Sequence, residues 1–222
     1  MVTLNEELVL LSEGVADKVF LERIVTARGN FPKFDFPFPN DKFYGNAAFG
    51  NMLHALRGDP TGFAKLKGVL IVGDSGDKPE DAFKNIVDQI RAVGGFGVPT
   101  EPLKIGPQTA GHPAVAVMLL PDEKTPGSLE SLYVEELNAR HDWLEVCVNN
   151  FLACGAGKPL TWSAEKIAKA KFASGVAATH EDDPSRAAAW VFRSPPVIDV
   201  AAACYESVED RIRDFCVALG FT

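Results

Sequence analysis

Apolar residues gather along the chain in short unbroken runs, and amphipathic stretches separate them. "ELVLL" (7–11) is a continuous run of strand length, and the following "ADKVFLERIVTARG" places Val19, Phe20, Arg23, Ile24 and Ala27 at helical intervals before closing at Gly29. "NFPKFDFPFPNDKF" is rich in Pro and Phe and predicts an extended or irregular crossing. "NAAFGNMLHALRG" predicts a short helix with Phe49, Met52, Leu53 and Leu56 on one face. The order of the first unit then recurs in "KGVLIVGDSGDKPEDAFKNIVDQIRAVG". It has a strand from Gly68 to Val72, an acidic glycine turn, and a helix with Phe83, Ile86, Val87 and Ile90 inward. "AVAVMLLPD" (114–122) is a third strand, and "GSLESLYVEELNA" a helix with Ser128 as N-cap. Strands alternating with helices indicate a parallel α/β sheet covered on both faces. From His141 the pattern is mostly helical, with breaks at "CGAGKP", "HEDDP" and "SPP". The expected organisation is an α/β core over residues 1–140 with a helical C-terminal extension, 141–222, packed on it as one unit.

Length and composition narrow this picture. The chain has 222 residues, 46% of them hydrophobic, and a mean hydropathy of +0.02, enough to bury a core within one embellished domain. No apolar run approaches the roughly 20 residues of a membrane-spanning helix, and "MVTLNEELVLL" lacks a basic n-region. A soluble protein without secretion signal or membrane anchor is expected. Cys147, Cys154, Cys204 and Cys216 show no CxxC spacing, which predicts buried free thiols and a reducing cytoplasm. The net charge of −8 argues against a broad basic face for duplex DNA, because Lys and Arg supply most non-specific affinity for phosphates. Any nucleic-acid contact would be local or bridged by metal.

Chemistry in a parallel sheet sits at the carboxyl ends of its strands, where adjacent loops share a crevice. Each strand exit here carries acid: Glu13 after the first, Asp74 and Asp77 after the second, Asp122 and then Glu130 after the third. Carboxylates within about 4–6 Å repel one another, so such a group calls for a divalent cation or a basic partner. Mg²⁺, an oxygen-seeking ion that keeps waters for substrate phosphates, is the natural candidate. Asp17, Asp77 and Glu130 near helix starts equally complement helix dipoles, so the metal role and the dipole role stand side by side at this level.

The set resembles the Toprim domain of topoisomerases, primases and small nucleases. The matching residues are Glu13, Gly14 and Asp17 in "SEGVADKVFLERI" and Asp74 in "GVLIVGDSGDKP". "LLPDEKTPGSLESLYVEEL", with Asp122, Gly127 and Glu130, resembles stand-alone Toprim-like proteins related to the overcoming-lysogenization-defect (OLD) nuclease module. So do the late "KIAKAKFA" and "PPVIDVAAACYESVEDRIRDFCVAL". The resemblance implies a Rossmann-like Toprim sheet and Mg²⁺ or Mn²⁺ held by Glu13, Asp17, Asp74, Asp77 and Glu130. It further implies Glu13 as proton-transfer group and metal partner, and Lys169 or Lys171 as the cation that meets developing phosphate charge. Lys166 shares their helix, and any of the three equally suits a solvated basic face. The function implied is a metal-dependent nuclease or phosphodiester-processing protein acting on nucleic acid. The alternative is a catalytically degenerate Toprim-fold module working with an ATPase partner; a small-molecule phosphohydrolase would gather acids in the same way. Physically, Glu13 at a strand exit is expected to be desolvated, whereas Asp74 and Asp77 in a solvated turn stay ionised. One departure weighs on the choice: the Toprim pattern has Asp-x-Asp after the second strand, and here Asp74 is followed by Ser75 and Gly76, with the next acid displaced to Asp77. Gly76 at positive φ is the device that would swing Asp77 inward.

Other patterns fail their context. "GDSGDKP" looks like the trypsin nucleophile segment, which would pair Ser75 with His54, but an amphipathic helix follows it in an α/β pattern. "VGGFGVP" (93–99) follows a helix, not a strand, and so is no phosphate loop. His112, His141 and His180 have no zinc-like partners in the sequence. Phe215, Val217 and Leu219 are expected in the core.

Overall fold

The structure is a computed structural model that describes residues 2–38, 45–107, 111–154, 161–180, 185, 190–191 and 197–221. Among these, four parallel strands form one sheet: β1 (Leu8–Ser12), β2 (Phe34–Asp35), β3 (Gly68–Asp74) and β4 (Ala114–Leu120), in the order β2–β1–β3–β4. The helices are α1 (Val15–Ala27), α2 (Phe49–Arg57), α3 (Pro60–Phe63), α4 (Pro79–Val93), α5 (Leu129–Arg140), α6 (Leu144–Cys154), α7 (Ala164–Thr179) and α8 (Glu206–Ala218). The parallel α/β sheet expected from the alternation is present, and its arrangement is Rossmann-like. β2 is the difference. The Pro/Phe-rich crossing contributes a two-residue edge strand, pairing Leu8 with Phe34 and Val9 with Asp35, a position where prolines on either side do no harm to the ladder.

β1, β3 and β4 are buried along their whole length, which is why they read as continuous apolar runs. Their side chains alternate between two cores. Leu8, Leu10, Leu70, Val72, Ala116 and Met118 face α1, α5, α7 and α8. Val9, Leu11, Val69, Ile71, Val115 and Val117 face α2 and α4. Residues on both sides of position 140 share the first core, with Leu144, Val148, Phe172 and Ile212 packed among strand residues. The C-terminal helices therefore complete one face of the sheet. Gly68 starts β3 because a Cβ there would lie 2.3 Å from Leu219 Cδ1 and 2.9 Å from Phe215 Cζ, so α8 closes over bare backbone.

Helix faces follow the 3.6 period closely. α2 buries Phe49, Met52, Leu53 and Leu56, and α4 buries Ile86, Val87 and Ile90, with Phe83 only partly covered. Two expectations are corrected. Val217 is 59% exposed, because 215, 217 and 219 are spaced for a strand, whereas α8 buries Val208, Arg211, Ile212, Phe215 and Cys216. The cysteines are free, but Cys147 and Cys154 are exposed on α6 and only Cys216 is fully buried. No described helix is long and apolar enough to cross a membrane.

Candidate active site

The register places the site. Ser12 pairs with Val72, and β3 runs on to Asp74 while β1 stops, so Glu13 leaves β1 beside the end of β3. From β1 the chain crosses to α1 on one face; from β3 it crosses to α4 on the other. The β1/β3 boundary is thus the point where connections diverge and a crevice opens.

Four carboxylates meet there. Glu13 Oε2 accepts the Asp74 N–H at 3.3 Å. Asp17, in the first turn of α1, accepts the Gly14 N–H at 2.7 Å through Oδ2, which closes the helix start. Asp74 accepts the Leu129 N–H at 3.1 Å through Oδ1. Glu130 receives the Ser128 hydroxyl at 2.8 Å. Burial and then repulsion from Glu13 and Glu130 push the Asp17 carboxyl up to about 7. Burial, Asp17, Glu13 and Glu130, in that order, hold Asp74 well above the carboxylate range. The cation facing them is Lys169, whose Nζ is 3.9 Å from Asp74 Oδ2 and in contact with Glu165 one turn back on α7.

Three helices deliver these groups through one packing device. Phe20 of α1, Tyr133 of α5 and Phe172 of α7 form an aromatic cluster, with ring centroids 5.7 Å apart for Phe20–Tyr133 and 5.2 Å for Tyr133–Phe172. Each ring lies three residues after a charged site residue: Asp17 and Phe20, Glu130 and Tyr133, Lys169 and Phe172. Residues at i and i+3 share a helix face. Packing the three rings together therefore brings the three charges together one turn nearer the crevice. This charged-x-x-aromatic spacing was present in the sequence and is the signal that links the helices.

The loops after β3 and β4 are locked to each other. Gly76 adopts φ +60 and exchanges two backbone hydrogen bonds with Gly127. Ser75 is fully buried and its hydroxyl donates to Thr125 O at 2.7 Å and Gly127 O at 3.2 Å. It is a clamp and not a nucleophile. Asp122 turns its own loop by accepting the Lys124 and Thr125 N–H groups.

Several expected roles change. Asp77 has a fastening contact beside the four acids: its Oδ1 accepts the Ala164 N–H at 2.9 Å, tying the start of α7 to the turn after β3. The positive φ at Gly76 directs the chain to Gly127 and α7, so Asp77 positions the helix that carries Lys169. Lys171 lies elsewhere, in a groove with Val134, Leu137, Leu144 and Val148, because two residues along α7 turn it away from Lys169. Asp74 is 7% exposed; it is the last residue of a buried strand and not part of a solvated turn, so its proton affinity rises.

A family model described as a protein of unknown function (DUF3226) matches residues 7–194. The chain belongs to this family. Neither the curated proteins nor the solved structures compared with it contain a match. The matched span of this DUF3226 member includes all four acids and Lys169.

The donor set suits a hard divalent cation: it is oxygen only, and carboxyls forced together by burial gain from a positive charge among them. Among the described residues no three His, Cys, Asp or Glu side chains form a ready-made metal cage.

Proposed function

We propose that this protein is a Toprim-like, Mg²⁺- or Mn²⁺-dependent enzyme that processes phosphodiesters in nucleic acid. The observation that carries the proposal is the convergence of Glu13, Asp17, Asp74 and Glu130 with Lys169 at the β1/β3 switch point. Glu13 and Asp74 are the residues that would hold the cation, with Glu130 beside them. Once bound, the cation would polarise a phosphoryl oxygen and make a water acidic enough to attack at neutral pH. Asp17 would hold or move a proton at Oδ1 while Oδ2 stays on the Gly14 N–H. This takes over the proton-transfer role expected of Glu13. Lys169 Nζ offers positive charge to the phosphate. The four free thiols support a cytoplasmic setting within the same proposal.

The test is cleavage of labelled single-stranded and duplex DNA and RNA with Mg²⁺ or Mn²⁺, against chelator. Cleavage is expected only with metal, and strongly inhibited by salt, since a chain of net charge −8 holds polyanions weakly. Asp17→Asn should lower turnover with metal affinity kept, and Asp74→Asn should weaken metal binding itself. Cleavage surviving both substitutions would refute the assignment. A second reading has its own observation: the acid that stands where the Toprim pattern has its second Asp, Asp77, commits one oxygen to the Ala164 N–H. Metal binding without cleavage of any substrate would favour a binding module that works with an ATPase partner.

A further inference from the structure

We infer that Lys169 is an internal counter-ion that a divalent cation must displace from Asp74, and that displacement frees its ammonium for the substrate phosphate. The inference rests on the metal-dependent reading above and adds an order of events to it. Asp74 has two carboxylate oxygens, and Oδ1 is held by the Leu129 N–H at 3.1 Å. Oδ2 is the oxygen turned to the crevice, and Lys169 Nζ lies 3.9 Å from it. A cation seeking Asp74 therefore meets an oxygen that already faces a positive charge. Two positive charges at one oxygen repel, so the ammonium and the metal compete for it.

The geometry also supplies a place for the ammonium to go. Glu165 is one turn back on α7 and already contacts Nζ. The Lys169 side chain is 44% exposed, and its four-carbon stem is free to swing on the solvent side. Lys169 is thus shared between an inner partner, Asp74, and an outer one, Glu165. Its helix is fixed meanwhile by Asp77 on Ala164 and by the Ser163 cap on Lys166. Against the cost of burial, the hydrogen bond to Glu165 and then the charges of Glu130 and Asp74 keep the ammonium charged. Before the metal arrives, bound protons and one lysine together relieve the four crowded carboxyl groups; afterwards the same lysine stands at the rim of the site, where a phosphate bound to the metal would need a positive charge.

The test is calorimetric titration of the full chain with MnCl₂, comparing wild type, Lys169→Met, Lys169→Arg and Lys171→Met. Removing the competing ammonium should tighten Mn²⁺ binding roughly two- to fivefold, the scale expected for a half-exposed ion pair. Lys169→Arg keeps the charge and should return the wild-type affinity. Lys171→Met makes the same charge change on the same helix but faces the α5–α6 groove, and should leave affinity unchanged. Equal or weaker binding by Lys169→Met, with wild type binding normally, overturns the inference alone. Equal tightening by Lys171→Met overturns it too, since the effect would then be one of net charge. Absence of Mn²⁺ binding in both wild type and Lys169→Met overturns the metal-dependent reading itself.

Discussion

Asp17→Asn should stabilise the protein at neutral pH. The Asn side-chain oxygen can still accept the Gly14 N–H that Asp17 Oδ2 holds at 2.7 Å, so the start of α1 is kept while the crowded charge is removed. Burial and the repulsion of Glu13 and Glu130 raise the carboxyl from its ordinary 3.8 to about 7. In the unfolded chain Asp17 loses its proton near its ordinary value; in the folded chain it keeps it until about 7. Between those limits the folded state binds more protons, so stability falls as pH rises through this window and levels above it. At about 1.4 kcal/mol per unit the shift caps the effect at roughly 4 kcal/mol. Asp17 is only partly buried and its neighbours can turn away, so about 1–2 kcal/mol is the expected gain for Asp17→Asn at pH 8. The gain should shrink as pH falls and vanish below about pH 3, where the wild-type carboxyl is protonated in folded and unfolded chains alike. Urea unfolding of both proteins from about pH 3 to 8, without divalent ions, measures this directly. A variant less stable than wild type at pH 8, or a difference independent of pH, would refute the crowding argument.

Ser75→Ala removes a buried hydroxyl shared by Thr125 O and Gly127 O; it should cost about 1–2 kcal/mol in urea unfolding, and the wild-type serine should resist a fluorophosphonate label. Gly76→Ala meets no steric neighbour but must hold φ +60, so a loss of about 1–2 kcal/mol is expected from backbone strain alone; an unchanged denaturation midpoint would contradict the described turn. Arg211→Met removes the guanidinium that donates to Leu119 O and Pro121 O, each at 2.8 Å, and pairs with Glu123. Thermal unfolding should register a loss of about 2–4 kcal/mol, because two buried carbonyls are left without their charged donor.

The legibility of this site in the chain varies with how local each signal is. Glu13 and Asp74 were readable because each directly ends an apolar run, and strand ends of a parallel sheet lie at one edge by construction. The contact of Asp77 with α7 was not readable because Gly76 bends the chain toward Gly127, a partner 51 residues away that no local pattern names. Lys169 and Lys171 looked equivalent in "KIAKAKFA". They differ only in which side of α7 meets Asp74, and that is settled by the packing of Phe172 against Tyr133. Val217 shows the same limit, since an apolar residue reads as buried until the phase of its helix is known.

What the sequence determined by itself follows from short-range physics. Runs buried on both faces become strands of a parallel sheet, 3.6-periodic stretches become the helices that cover them, and each strand exit carries an acid. Tertiary structure alone decided which of those acids share one crevice and which lysine faces them. It also decided that Asp17 and Asp74 carry a raised proton affinity. The reason is physical: desolvation and repulsion depend on distances between groups that are far apart in the chain, and only the packed core sets those distances.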